Sequence, residues 1–135
     1  LVGGIVHFGR MLDKIRLHAA GKLPADYHAN LGKGFDGWCC QLLKVKYEDV
    51  VTRCQRGGTE AEILAWCFST SRQPAVFEVE AFNDYLRKRG WNDTASERLA
   101  QRKQESGLAD RADIQTFFDL IDADEGRPVH RPFTA

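Results

Sequence analysis

GGIVHFGRMLDKIRLHAAGKLPADYHAN, residues 3–30, is the stretch whose reading decides the fold. At about 100° per residue, Ile5, Phe8, Leu12, Ile15 and Ala19 share one face, with Met11 at its edge. That apolar stripe predicts an amphipathic helix from Gly3 to Ala20. His7, Arg10, Lys14 and His18 make a second, polar stripe. Arg10 and Lys14 are like charges one turn apart, a spacing that is mildly destabilising on a bare helix. Asp13 is expected to offset them, since it stands three residues from both Arg10 and Arg16. Gly21 is placed to end the helix and Pro24 to prevent its restart. Tyr27, His28 and Asn30 follow within the turn.

Working outward, Lys33 to Gly37 reads as a turn and Trp38 to Val45 as a short apolar segment, a helix by preference and a strand as the alternative. Glu48 to Arg56 predicts a helix stopped by Gly57-Gly58. Thr59 and Glu62 form a capping-box pattern that opens a helix containing Ile63, Leu64, Trp66, Cys67 and Phe68. Pro74 suits the first turn of the next helix, which runs to about Arg89 and stops at Gly90. Thr94 and Glu97 repeat the capping-box pattern ahead of a mostly polar helix ending near Ser106. A last helix is expected from Asp110 or Ala112, with Ile114, Phe117, Phe118 and Ile121 as its apolar stripe. No β-alternation and no internal repeat stand out. The expected fold class is therefore all-α, a single compact irregular bundle of about six helices over residues 1–126, with an extended or disordered tail over 127–135. The helical pattern is under way at the first residue, so the natural chain is expected to begin upstream of Leu1.

Composition narrows the function classes. Lysine and arginine number 19 and aspartate and glutamate 19, for zero net charge. A nucleic-acid or membrane-surface binder normally carries a basic excess, so neither partner is expected. The basic run Arg87-Lys88-Arg89, with Arg98, Arg102 and Lys103, reads as a solvated face or as a partner for the acidic stretch Asp119 to Glu125. No apolar run approaches the roughly 20 residues that span a bilayer. The four cysteines include an adjacent pair, Cys39-Cys40, and no C-x-x-C spacing. They read as reduced, partly buried thiols of a cytoplasmic protein.

Three of the 4 histidines lie in the first 30 residues, beside Asp13 and Tyr27. Two imidazoles and two cations on one helical stripe, facing a phenol, an imidazole and an amide, suit a small anionic ligand. The candidate binding residues are His7, Arg10, Asp13, Lys14, Tyr27, His28 and Asn30. Arg10 and Lys14 would hold the anion, arginine bidentately. His28 or His7 would move a proton, and Tyr27 and Asn30 would orient the ligand. No metal and no cofactor are expected. There is no H-E-x-x-H, and a calcium loop starting at Asp122 would place Arg127 at the glycine position and Phe133 at the chelating glutamate. The competing class is a protein–protein interaction module without catalysis, in which the same cations and aromatics meet a partner.

Gly3-Gly4-Ile5-Val6-His7, Arg10-Met11-Leu12-Asp13-Lys14-Ile15-Arg16, Tyr27-His28-Ala29-Asn30, Phe82-Asn83 and Phe118-Asp119-Leu120-Ile121-Asp122 together resemble the bacterial family of unknown function DUF5069. The likeness covers most of the chain and is densest in the first 30 residues. It implies a bacterial setting and recurrence of the Arg-x-x-Asp-Lys run and the Tyr-His-x-Asn turn, here Arg10, Asp13, Lys14 and Tyr27, His28, Asn30. It implies no activity. The chain departs from the family pattern at Trp38-Cys39-Cys40 and at Phe82, where the family has tryptophan.

Overall fold

A computed structural model describes residues 1–129 of the chain. Among these the architecture is all-α. Helix α1 spans Phe8–Ala19, a 3-10 helix (η1) spans Ala25–Asn30, and α2 to α4 span Phe35–Leu43, Tyr47–Gln55 and Glu60–Thr70. Helices α5, α6 and α7 follow at Val76–Lys88, Ser96–Glu105 and Phe117–Asp124. The chain groups into two compact units, Leu1–Asn83 and the part from Asp84 onward, with the boundary inside α5. Part of the expected tail, 130–135, lies outside the described residues.

In the first unit the apolar stripe of α1 becomes the core. Phe8, Met11, Leu12 and Ile15 are buried with Cys39, Cys40, Leu42 and Leu43 of α2, Val50 and Cys54 of α3, and Ile63, Leu64 and Cys67 of α4. Each of the aliphatic, methionine and phenylalanine side chains among them contributes about 1.5–3 kcal/mol through removal from water. Ala19, expected on this stripe, is exposed at the end of the helix.

The helix begins at Phe8 and not at Gly3. Residues 2–5 instead fold into a turn closed by Val2–Ile5 backbone bonds of 3.4 and 3.0 Å. Gly3 and Gly4 take positive φ there, which glycine alone adopts freely, and a Cβ on Gly3 would run into the Leu64 side chain. Asn83 ties this turn down, accepting from Val6 N–H at 3.0 Å and donating to the Gly4 carbonyl at 2.7 Å. At the other end Gly21 (φ 70) closes α1 with Lys22 N–H on Leu17 O and Gly21 N–H on His18 O. This is the expected glycine stop, in its Schellman form.

Helix α2 starts three residues before Trp38, so part of the expected turn at 33–37 is helical. It closes with Lys44 in the left-handed region and with Arg72 donating to Leu42 O at 2.8 and 3.1 Å. The Thr59/Glu62 capping box forms as expected.

In the second unit Leu99, Ile114 and Leu120 are buried, with Leu108, Phe117, Ala123 and Val129 packed around them. Two helix starts differ from the sequence expectation. The capping box expected at Thr94/Glu97 does not form: α6 starts behind Ala95, with no side-chain cap, and the turn before it is organised by Asp93. Its carboxylate accepts from Gly90 N–H and Ala95 N–H at 2.9 Å each, and α6 begins at Ser96. The last helix begins at Phe117, not at 110–112, behind a capping box of Thr116 and Asp119. Ile114 therefore reaches the core from a turn, at 2% exposure, while Phe117, Phe118 and Ile121 are only half-buried. Arg127 pairs with Asp122 and Glu125 at 3.0 and 2.8 Å, so a local arginine supplies counter-charge to that acidic end.

Candidate functional site

Asp36 is the centre of the polar stripe on α1, and it was not among the residues that the stripe itself suggests. It lies in the first turn of α2 and is fully buried. Its spacing with Cys39, Cys40 and Leu43 is i, i+3, i+4, i+7, so it sits on the core face of its helix. That spacing is the signal that betrays it: an acid on an apolar stripe needs partners.

The partners come from α1 and from the turn before α2. His7 Nε2 is 2.7 Å from Asp36 Oδ1. The Lys14 ammonium is 2.9 Å from each carboxylate oxygen. Gly32 N–H donates to Oδ2 at 3.1 Å. Gly32 is required there, because its φ is 76° and a Cβ would stand 2.8 Å from the Tyr47 ring. His7 is the residue just before α1, with φ 69°, a region non-glycine residues seldom occupy. In that conformation the imidazole reaches across to α2, hydrogen-bonded to Asp36 and edge-on to Phe35 at 5.5 Å.

The electrostatics follow from these contacts. Burial pushes the Asp36 carboxyl up, but the His7 hydrogen bond and the Lys14 charge outweigh it and hold the group below the usual carboxylate range. His7 is pulled down chiefly by burial, which overcomes the favourable bond to Asp36, with Lys14 and Arg10 adding to the decrease. The imidazole is thus neutral at pH 7. Its Nε2–H donates to Asp36, and Nδ1 carries the lone pair. With its side chain only 3% exposed, His7 braces the junction of α1 and α2.

The expected counter-charge is therefore supplied from another helix. Asp13 is exposed, whereas the carboxylate on Lys14 is Asp36. Arg16 turns to Gly58 O at 2.9 Å and to Glu60 at 3.9 Å. The other candidates are placed by η1. Arg10 stands with its guanidinium carbon 6.0 Å from the Tyr27 ring centroid, and both residues are half-buried. This is a cation–π approach. His28 is exposed, with Nε2 2.9 Å from Leu23 O and its ring 4.6 Å from that of His18. Asn30 is exposed, and its carbonyl accepts Lys33 N–H at 3.0 Å.

The structure thus brings together His7 with Lys14, Arg10 with Tyr27, and His28 with His18. An open groove between α3 and α4, lined by Arg53, Arg56, Glu62 and Trp66 among others, involves none of the candidates. No group of three or more histidine, cysteine, aspartate or glutamate side chains gathers in metal-holding geometry among the described residues. No helix among them is long and apolar enough to cross a membrane.

No curated protein matches the chain. A family model described as a domain of unknown function (DUF5069) matches residues 1–127, and the chain belongs to that family.

Proposed function

We propose that this protein binds a small anionic molecule, a carboxylate or phosphate, on the polar face of α1 where η1 meets it. Arg10 holds the anion through its guanidinium fork. Tyr27 supplies a ring face and a hydroxyl, and His28 and Asn30 orient the ligand from the same 3-10 helix. His7, Asp36 and Lys14 form the support that fixes α1 to α2.

The observation that carries this reading is the convergence of Arg10 and Tyr27, which lie on different elements joined by the Gly21–Pro24 turn. Four free, buried cysteines suit a reducing compartment, and we place the protein in the cytoplasm.

The test is calorimetric titration of phosphate- and carboxylate-bearing metabolites into the parent, Arg10→Ala and Arg10→Lys proteins. Binding by the parent, loss in Arg10→Ala and weakening in Arg10→Lys are expected, since lysine lacks the planar fork. Equal binding by parent and Arg10→Ala refutes the assignment. An interaction module is the second reading, favoured by Val76 and Phe77 at 75% and 78% exposure on the first turn of α5. It predicts no metabolite binding by any of the three proteins.

A further inference from the structure

The last polar residue of the α1 stripe meets the turn in a way that no sequence motif announces. His18 and His28 are ten positions apart, yet their rings lie 4.6 Å apart, centroid to centroid, at an interplanar angle of 72°. Both residues are exposed. His18 belongs to the last turn of α1 and His28 to η1. The chain between them is held by the Schellman closure at Gly21 and by the hydrogen bond between His28 Nε2 and Leu23 O at 2.9 Å.

That hydrogen bond decides the tautomer of His28. A backbone carbonyl only accepts, so Nε2 carries the proton and Nδ1 carries the lone pair. Metal-ligating histidines are commonly oriented in this way, with one ring N–H on a carbonyl and the other nitrogen on the ion.

From this geometry we infer that His18 and His28 form a two-histidine site for a borderline divalent transition-metal ion of the Zn²⁺, Ni²⁺ and Cu²⁺ class. With metal–nitrogen bonds of about 2.0–2.1 Å and a tetrahedral nitrogen–metal–nitrogen angle, two chelating rings stand roughly 5 Å apart, centroid to centroid. The packed pair, at 4.6 Å in an edge-to-face arrangement that does not itself chelate, stands close to that separation. Chelation requires only that the exposed His18 ring turn from its edge-to-face packing to present a nitrogen, a rotamer change with no core to disturb. His28 keeps its bond to Leu23. Solvent fills the remaining coordination positions. Imidazole nitrogen suits these ions better than it suits Mg²⁺ or Ca²⁺, which prefer oxygen. This inference goes beyond the anion site: it shares His28 with that reading but needs neither Arg10 nor Tyr27.

The experiment is titration of Zn²⁺ alone into the reduced full chain at pH 7.5, followed by calorimetry. The proteins are the parent, His18→Ala, His28→Ala and Arg10→Ala. Electron paramagnetic resonance of the Cu²⁺-loaded parent and the two histidine variants accompanies it. One ion per chain is expected, with at least tenfold weaker binding in each histidine variant and none of that loss in Arg10→Ala. The Cu²⁺ spectrum should report two nitrogen donors in the parent and fewer in either variant. Both histidines are exposed, so unchanged far-ultraviolet circular dichroism is expected and a binding loss is not unfolding. Binding that survives in both histidine variants, or a Cu²⁺ spectrum unchanged by them, overturns the inference. So does the absence of Zn²⁺ binding by the parent. Anion binding that fails while Zn²⁺ binding persists refutes the function proposed for Arg10 and leaves this site standing.

Discussion

Replacing Asp36 by alanine removes the acceptor shared by His7, Lys14 and Gly32. The Lys14 ammonium, at 14% side-chain exposure, loses both carboxylate oxygens, and His7 Nε2–H and Gly32 N–H lose theirs. Removing one partner of a buried ion pair destabilises by about 3–5 kcal/mol, because the remaining charge is left without compensation. With a urea slope of about 2 kcal/mol per M, the denaturation midpoint should fall by roughly 1.5–2.5 M. Far-ultraviolet circular dichroism against urea measures this directly. Asp36→Asn keeps the shape and one acceptor oxygen but not the charge, so it should fall between parent and alanine. Asp36→Leu combined with Lys14→Met removes both charges, and apolar replacement of a whole buried pair is often close to neutral. The double variant should therefore recover much of the loss. Lys14→Met alone leaves His7 able to supply the counter-charge by protonation. Its deficit should shrink from pH 8 to pH 5.5, since burial still lowers His7 but the Lys14 charge no longer adds to that. An Asp36→Ala midpoint within about 0.5 M of the parent, about 1 kcal/mol at that slope, would refute the reasoning that this carboxylate is the buried hub.

Stability should depend on pH through the same cluster. The folded-state pKa of His7 lies below its ordinary 6.5, so between those two values the unfolded chain binds the extra proton. Stability is then full above pH 6.5 and declines as pH falls below it, by up to about 1.4 kcal/mol per pH unit. Asp36, held below 3.8, adds a second loss as pH falls from there through its folded value. His7→Asn, a residue tolerant of the left-handed backbone, should lack the first step, and a parent stability flat from pH 7 to 5 would contradict the assignment. Thr116→Ala removes the capping oxygen that accepts Asp119 N–H and should destabilise by about 0.5–2 kcal/mol; an unchanged midpoint would show that the box does not hold α7. All four thiols are buried and free, and burial pushes them up, Cys40 to about 12 and Cys67 to about 11. Iodoacetamide should label the native protein slowly at pH 8 and label four sites after unfolding without reductant. Fast native labelling, or fewer than four sites after unfolding, would count against this.

Much of the helical fold was legible in the sequence because helix signals are local. The stripe Phe8, Leu12, Ile15, the glycine stop at Gly21 and the capping box Thr59/Glu62 depend on neighbours within one or two turns. Where local signals competed, tertiary or turn chemistry prevailed. The turn built on Asp93, whose carboxylate accepts from Gly90 and Ala95 N–H, moves the start of α6 past Thr94. The helix expected from Gly3 starts at Phe8 because Asn83, seventy-seven residues beyond Val6, fastens the glycine turn. The candidate site divides in the same way. Sequence periodicity alone placed Arg10, Lys14 and His18 on one face and Tyr27 and His28 close behind a helix stop. Only the tertiary structure paired Lys14 and His7 with Asp36, twenty-two and twenty-nine residues away, left Asp13 in solvent, and set His18 against His28. The physical reason is that helix periodicity fixes which side chains share a face, while the partner of a buried charge is whichever group the packing of a second helix delivers.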